Sequence, residues 1–172
     1  MAGPAWNAKA GVASFVATCM ANAGDFSALA AALAASGMVE IDPADGPQFP
    51  VSSPERRRLW KSNAAVGPDE DAYTGYLVKG ETPRAEICWH ISRPGDSAAT
   101  ALPELKKRYP PKGVTVSDGT VFSYGGGESW ETVSGQTTFT IGVNWPFRGD
   151  PSKGTSMLYV LKLISAGKGA PQ

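Results

Sequence analysis

Arg84-Ala85-Glu86-Ile87-Cys88-Trp89-His90-Ile91-Ser92 alternates apolar and polar positions more cleanly than any other stretch of the chain. Side chains of an extended strand repeat every second residue, so Ala85, Ile87, Trp89 and Ile91 share one face. Glu86, Cys88 and His90 share the other. A strand this regular must pair, and its neighbours supply partners. Upstream, Ala72–Lys79 alternates Tyr73, Gly75 and Leu77 with Thr74, Tyr76 and Val78, and residues 80–83 read as a tight reversal between the two. Downstream of Pro111 the spacing predicts strands at Val114–Val116, Thr120–Tyr124, Ser129–Val133, Thr137–Asn144 and Ser156–Ile164. Short turns between consecutive strands imply an antiparallel meander. Leu158, Val160, Leu161 and Leu163 are nearly continuous, the mark of a central strand buried on both faces.

Helical periodicity is confined to other segments. Val12, Phe15, Val16, Cys19 and Met20 follow the spacing of a core-facing helix from about Asn7 to Asn22, which stops at Gly24. Asp25 is placed to cap a second helix with Phe26, Leu29, Ala30 and Leu33 inward, and Gly37 to end it. A third helix is expected over Ser97–Tyr109, with Ala98, Leu102, Leu105 and Tyr109 on one stripe. Pro103 fits it only in the first turn, which would move the start towards Thr100. Asp42–Pro54 holds four prolines and reads as an irregular connector. Ser53-Pro54-Glu55 then looks like a helix start, giving a turn or two through Arg56, Arg57, Arg58 and Leu59 before Trp60. The implied fold is α+β: an N-terminal helical hairpin and one further helix packed on an antiparallel sheet of about five to seven strands. One domain is expected over residues 1–166, with a disordered tail at 167–172.

Composition narrows the function classes. The 172 residues carry sixteen basic and sixteen acidic side chains, so the chain lacks the basic field that drives binding to a phosphate backbone. Nucleic acid is therefore not an expected partner. The longest run of small apolar residues, Ala28–Ala35, is far short of the roughly 20 residues that span a bilayer. Residues 1–23 admit two readings, a core-facing helix or a weak export signal with Ala21-Asn22-Ala23 as the cleavage site. The spaced apolar positions favour the helix. On either reading the chain is expected outside the cytoplasm, periplasmic or secreted.

The two cysteines admit three states: a Cys19–Cys88 disulfide, two buried thiols, or half of a metal site. Zinc needs about four ligands, and His90 is the only histidine, so no metal is expected. The bridge is the favoured state. It would tie the first helix to the strand and stabilise the fold by about 4 kcal/mol in the chain-entropy model. Neither sulfur suits catalysis. Cys19 lies near a helix C-terminus, where the dipole disfavours a thiolate, and Cys88 and His90 stand roughly 6–7 Å apart along one strand face.

Other candidate groups are weighed in the same way. His90 with Glu86 is a possible acid–base couple in a small hydrolase or ligand-binding protein, beside Arg84 or Tyr76. Gly-x-Ser-x-Gly is absent. Gly125-Gly126-Gly127 lacks the Lys-Ser or Lys-Thr of a phosphate loop and reads as a hairpin turn or bulge. Arg56, Arg57 and Arg58 read as a solvated helix face with salt bridges to Glu55 or Asp69. Among five tryptophans, Trp89 belongs to the core, whereas Trp130 and Trp145 lie near turns with Tyr124 and Phe147. That set, with Arg56 and Arg57, is a candidate surface for a protein partner or for sugar rings.

Phe15-Val16-Ala17-Thr18-Cys19, then Gly24-Asp25-Phe26 with the alanine-rich helix to Gly37, and Ile87-Cys88-Trp89 later, resemble the layout of small exported proteobacterial proteins of unknown function. The resemblance implies a periplasmic location and the cysteine pairing. It implies no activity. The expected function is a non-enzymatic interaction domain of the inhibitor, immunity or envelope-assembly kind, without a cofactor.

Overall fold

The computed structural model describes residues 8–47, 54–62, 72–80, 84–91, 98–113, 115–117, 126–145 and 156–164. Their centre is one eight-stranded sheet in the order β1-β2-β3-β4-β8-β7-β6-β5. The strands are β1 (Met38–Ile41), β2 (Pro54–Ser62), β3 (Tyr73–Lys79), β4 (Ala85–Ile91), β5 (Thr115–Ser117), β6 (Gly126–Ser134), β7 (Thr137–Trp145) and β8 (Met157–Leu163). Every neighbouring pair is antiparallel. The order divides the sheet into two four-stranded meanders joined where β4 lies beside β8. Each meander follows a helical segment, so the two halves repeat one plan that the sequence does not advertise.

Three helices pack on one face. α1 (Ala8–Phe15) continues into a widened π-helical turn, Val16–Met20. The Thr18 hydroxyl there bonds back to the Ser14 carbonyl at 2.7 Å, and the Ala21 amide reaches the Val16 carbonyl. α2 (Leu29–Ala35) follows a single 3₁₀ turn, Phe26–Ala28. Asp25 caps that turn as expected, its carboxylate accepting from the Ser27 amide at 3.0 Å. Gly37, at φ +87°, ends the hairpin. α3 (Ala98–Arg108) starts where the apolar stripe implied, and Pro103 falls inside it rather than in its first turn. Pro103 is exposed, so its ring disturbs no core contact; its cost to the helix is the lost amide bond to the Ala99 carbonyl and the crowding of that carbonyl by the ring. The end of α3 is fixed to β6: Trp130 Nε1 donates to the Tyr109 carbonyl at 2.8 Å, and Thr132 Oγ1 to that of Pro110 at 3.1 Å.

The helix-side core joins Val12, Phe15, Leu29, Leu33 and Leu105 to Trp60, Cys88, Trp130, Ile141 and Val160. The helices thus cover the Glu86–Cys88–His90 face of β4, the one that reads as polar. Cys19 and Cys88 form the expected disulfide, with Cα atoms 5.4 Å apart and 69 residues between them. It is fully buried and ties the widened turn of the hairpin to the middle of the sheet. On the opposite face, Leu59, Leu77, Ile87, Trp89 and Tyr159 form a second cluster. β8 lies between β4 and β7 and is buried on both faces from Leu158 to Val160, while Leu163 emerges into solvent.

Three glycines are fixed by direct cross-strand aromatic partners: Gly75 faces Trp89, Gly126 faces Trp145 and Gly142 faces Tyr159. In each pair the ring lies over the glycine, and a Cβ would enter the space of the ring atoms. Gly75→Ala or Gly142→Ala is therefore expected to cost about 1–3 kcal/mol through overpacking. Gly24→Ala, whose Cβ meets nothing within 4 Å, should stay within about 0.5 kcal/mol of the parent. Urea denaturation of the three variants checks the contrast.

Two local expectations are corrected. Pro54–Ser62 is a strand, not a helix start, and with β1 it extends the sheet beyond Tyr73. Its first half is solvated on both faces, so charges occupy consecutive positions, and burial begins only at Leu59 and Trp60, one on each face. Gly126 and Gly127 belong to strand β6 rather than to a turn, because the Trp145 indole fills the space over Gly126. The strand expected at Thr120–Tyr124, the turn at 67–71, most of that at 80–83 and the tail at 167–172 lie outside the described residues.

Candidate functional site

The break between the first two helices sets one wall of a hollow. Asp25 is extended and turns the chain, which aims Phe26 at the sheet. The Phe26 ring meets the Tyr76 ring of β3 with centroids 5.5 Å apart and planes at 54°. Lys162 of β8 holds this corner from below. Its Nζ donates to the Gly24 carbonyl at 3.1 Å, lies 3.9 Å from a Glu86 oxygen, and sits 5.4 Å from the Phe26 ring centre.

β2 supplies the facing wall. Arg58 grips Glu40 of β1 through a two-pronged pair, Nε–Oε1 at 2.7 Å and Nη2–Oε2 at 2.8 Å. Its guanidinium also lies 4.8 Å over the Trp60 ring. Arg56 stands two residues earlier on the same face, because the register places Arg56 opposite Val78 and Arg58 opposite Tyr76. Between the walls lies a cavity of about 320 Å³, a size that suits a small ligand or a few residues of a peptide. Hairpin residues Gly24 to Ser27, Leu29 and Ala30, with Arg56, Arg58, Trp60, Tyr76, Glu86 and Lys162, line it.

Its electrostatics follow from those contacts. The Ser27 amide and hydroxyl hold the Asp25 carboxyl below its ordinary value, and Lys162 adds to the effect. The bonds from Arg58 lower Glu40. Burial, reinforced by the Glu86 charge, pushes the Tyr76 hydroxyl up, so it remains a protonated donor at neutral pH. Arg84, outside the hollow, is paired with Glu55 at 2.9 Å. Arg56 makes no hydrogen bond or ion pair among the described residues, and it is the one cation of the lining so placed.

The residues singled out from sequence are distributed unevenly over this site. Glu86 lines the hollow, whereas His90 does not. Four residues along one strand set the two about 13 Å apart, so they do not meet as an acid–base couple. His90 is enclosed on the helix side of the sheet, opposite Thr74 and Leu158, with Nδ1 2.9 Å from Thr74 Oγ1. Burial pushes its imidazole down to about 4. Trp130 is 0% and Trp145 9% exposed, which corrects the expectation of an exposed indole surface. Nearness to turns did not expose them: both belong to the helix-side core, where the end of α3 caps the Trp130 indole and the Trp145 ring lies over Gly126. Tyr124 and Phe147 lie outside the described residues. Arg56 faces the hollow, while Arg57 points to the other face, beside Leu59 and Leu77.

Sequence reasoning did not single out Phe26, Trp60 and Lys162 as functional, and it placed Tyr76 only beside the His90–Glu86 couple. Two signals hinted at the site: a lysine inside the apolar run 158–163, and an arginine run separated from a tryptophan by one leucine. Among the described residues no three His, Cys, Asp or Glu side chains gather as a metal-binding group, and no helix is long and apolar enough to cross a membrane. Comparison with protein-family models, with curated proteins and with solved structures gives no match to this chain.

Proposed function

We propose that this chain is a non-enzymatic binding domain that works outside the cytoplasm, periplasmic or secreted, and holds a protein partner at the hollow between the hairpin turn and β2. The observation that carries the proposal is the lining itself. Tyr76 offers half-buried aromatic surface, backed by the buried Phe26 and Trp60 rings, and Arg56 stands above it with no hydrogen bond or ion pair among the described residues. Aromatic and arginine side chains in a recess are the groups that contribute most at protein interfaces. The buried disulfide supports the compartment, since such bridges persist where the environment is oxidising. The two carboxylates that line the hollow, Asp25 and Glu86, have no imidazole beside them, because the one histidine, His90, lies outside the lining, which favours binding over hydrolysis.

Ser27→Trp tests this directly. Ser27 is exposed on the rim; the substitution keeps the backbone amide that caps through Asp25, gives up only the exposed hydroxyl bond to that carboxylate, and fills the hollow without removing a core contact. An envelope protein retained by the immobilised parent chain should be lost from the Ser27→Trp chain at unchanged melting temperature. Equal retention by both chains would move the binding surface elsewhere.

A further inference from the structure

Resting on that binding-domain reading, we infer that the hollow recognises a single carboxylate carried next to an aromatic side group, with Arg56 as its counter-cation. Charge in the lining is largely spoken for. Arg58 is held by Glu40 in a two-pronged pair, and Lys162 stands between the Gly24 carbonyl and the carboxylates of Glu86 and Asp25. Arg56 is left, with a planar donor fork suited to a carboxylate. Tyr76 adds a hydroxyl that stays protonated. Below them the half-buried Tyr76 ring is the apolar floor open to a ligand, with the buried Phe26 and Trp60 rings packed behind it. A ring laid on that floor would set an adjoining carboxylate at the Arg56 end. A doubly charged phosphate is less suited, because Asp25 and Glu86 sit on the same lining and repel the second charge.

Such a group has two sources, the C-terminal end of a partner chain or a small free acid. Four probes separate them: N-acetyl-tryptophan, its amide, and a short peptide ending in tryptophan as free acid and as amide. Binding is followed by the amide resonances of Ser27, Arg56 and Tyr76 in the intact, oxidised chain. The acids should bind about tenfold more tightly than the matching amides, as expected for one charge-assisted pair. Arg56→Gln should abolish that gap while leaving the amides' affinity unchanged. Arg56 is exposed and unbonded among the described residues, so this variant should keep the parent's melting temperature. Tighter binding of the peptide acid than of N-acetyl-tryptophan assigns the partner's chain end, and the reverse order assigns a free acid. Equal affinity for acid and amide, or a preference that survives Arg56→Gln, overturns the carboxylate assignment. The binding-domain reading fails separately, if Ser27→Trp keeps its partner.

Discussion

Replacing Cys19 and Cys88 together by alanine lowers the unfolding free energy by about 4 kcal/mol, the largest single effect expected for this chain. The bridge closes a loop of 69 residues, and in the chain-entropy model the stabilisation grows with that length. A second contribution is local. Both sulfurs are fully buried between the π-helical turn and β4, so the double variant leaves a void where they packed. α1 and α2 hold the sheet through Val12, Phe15, Leu29 and Leu33 as well, so the hairpin should loosen rather than unfold by itself. Guanidinium denaturation of oxidised parent and double variant measures the difference. Parent protein with reductant should shift towards the variant's midpoint, slowly, because no sulfur surface meets solvent. A difference under about 1 kcal/mol would mean that packing alone fixes the hairpin.

The second large effect is a loss of stability in acid traced to His90. The imidazole is enclosed, and burial pushes it from 6.5 down to about 4. A histidine whose folded value is depressed favours the neutral form in the native state. The unfolded chain then binds more protons between about pH 6.5 and pH 4, so stability rises with pH across that window. It is fully present above pH 6.5 and falls as the pH drops to about 4, by about 3 kcal/mol. Glu40 and Glu55, lowered from 4.5 by hydrogen bonds in the native state, begin to lose their contributions at the acid end of that window, and Asp25, lowered from 3.8, below it. Urea midpoints at half-unit steps of pH from 4 to 7 measure the slope, and the His90 ring resonances should hold their neutral positions down to about pH 4. An imidazole that titrates near 6.5 in the folded chain would show that the site is open to water.

Local pattern made much of the fold legible. β4 is flanked on both sides by strands, one face against the helices and one against the second cluster, so its alternation is complete. The hairpin was readable from the heptad-like stripe of Val12, Phe15 and Cys19 and from Asp25 and Gly37, whose roles are decided within a few residues. β2 was not. Arg56, Arg57 and Arg58 lie where the strand has solvent on both faces, and a strand with no buried face keeps no period of two. Gly126 and Gly127 misled for a different reason: the space that a turn glycine leaves open is taken here by the Trp145 ring.

The candidate site was less legible than the fold. Its walls come from the hairpin turn, from Arg56, Arg58 and Trp60 of β2, and from Tyr76, Glu86 and Lys162, brought together only by the sheet order and by Lys162 crossing to the Gly24 carbonyl. Arg56 was in view from the sequence, as part of a charged run. What makes it distinct from Arg57 is the strand register, which turns one guanidinium to the hollow and the other away. Trp130 shows the converse. Its position near a turn suggested exposure, yet its indole N–H is consumed by the Tyr109 carbonyl and Lys106 lies over its ring at 5.7 Å.

The most direct measurement of the central claim, a bridge-stapled binding domain working outside the cytoplasm, is the thiol state of the protein taken from its native source. The chain is unfolded in guanidinium with an alkylating reagent, and its intact mass is read with and without prior reduction. No alkylation is expected without reductant, with a mass two hydrogens below that of the dithiol, and two alkyl groups after reduction. Two alkylated cysteines without reductant would contradict both the staple and the compartment.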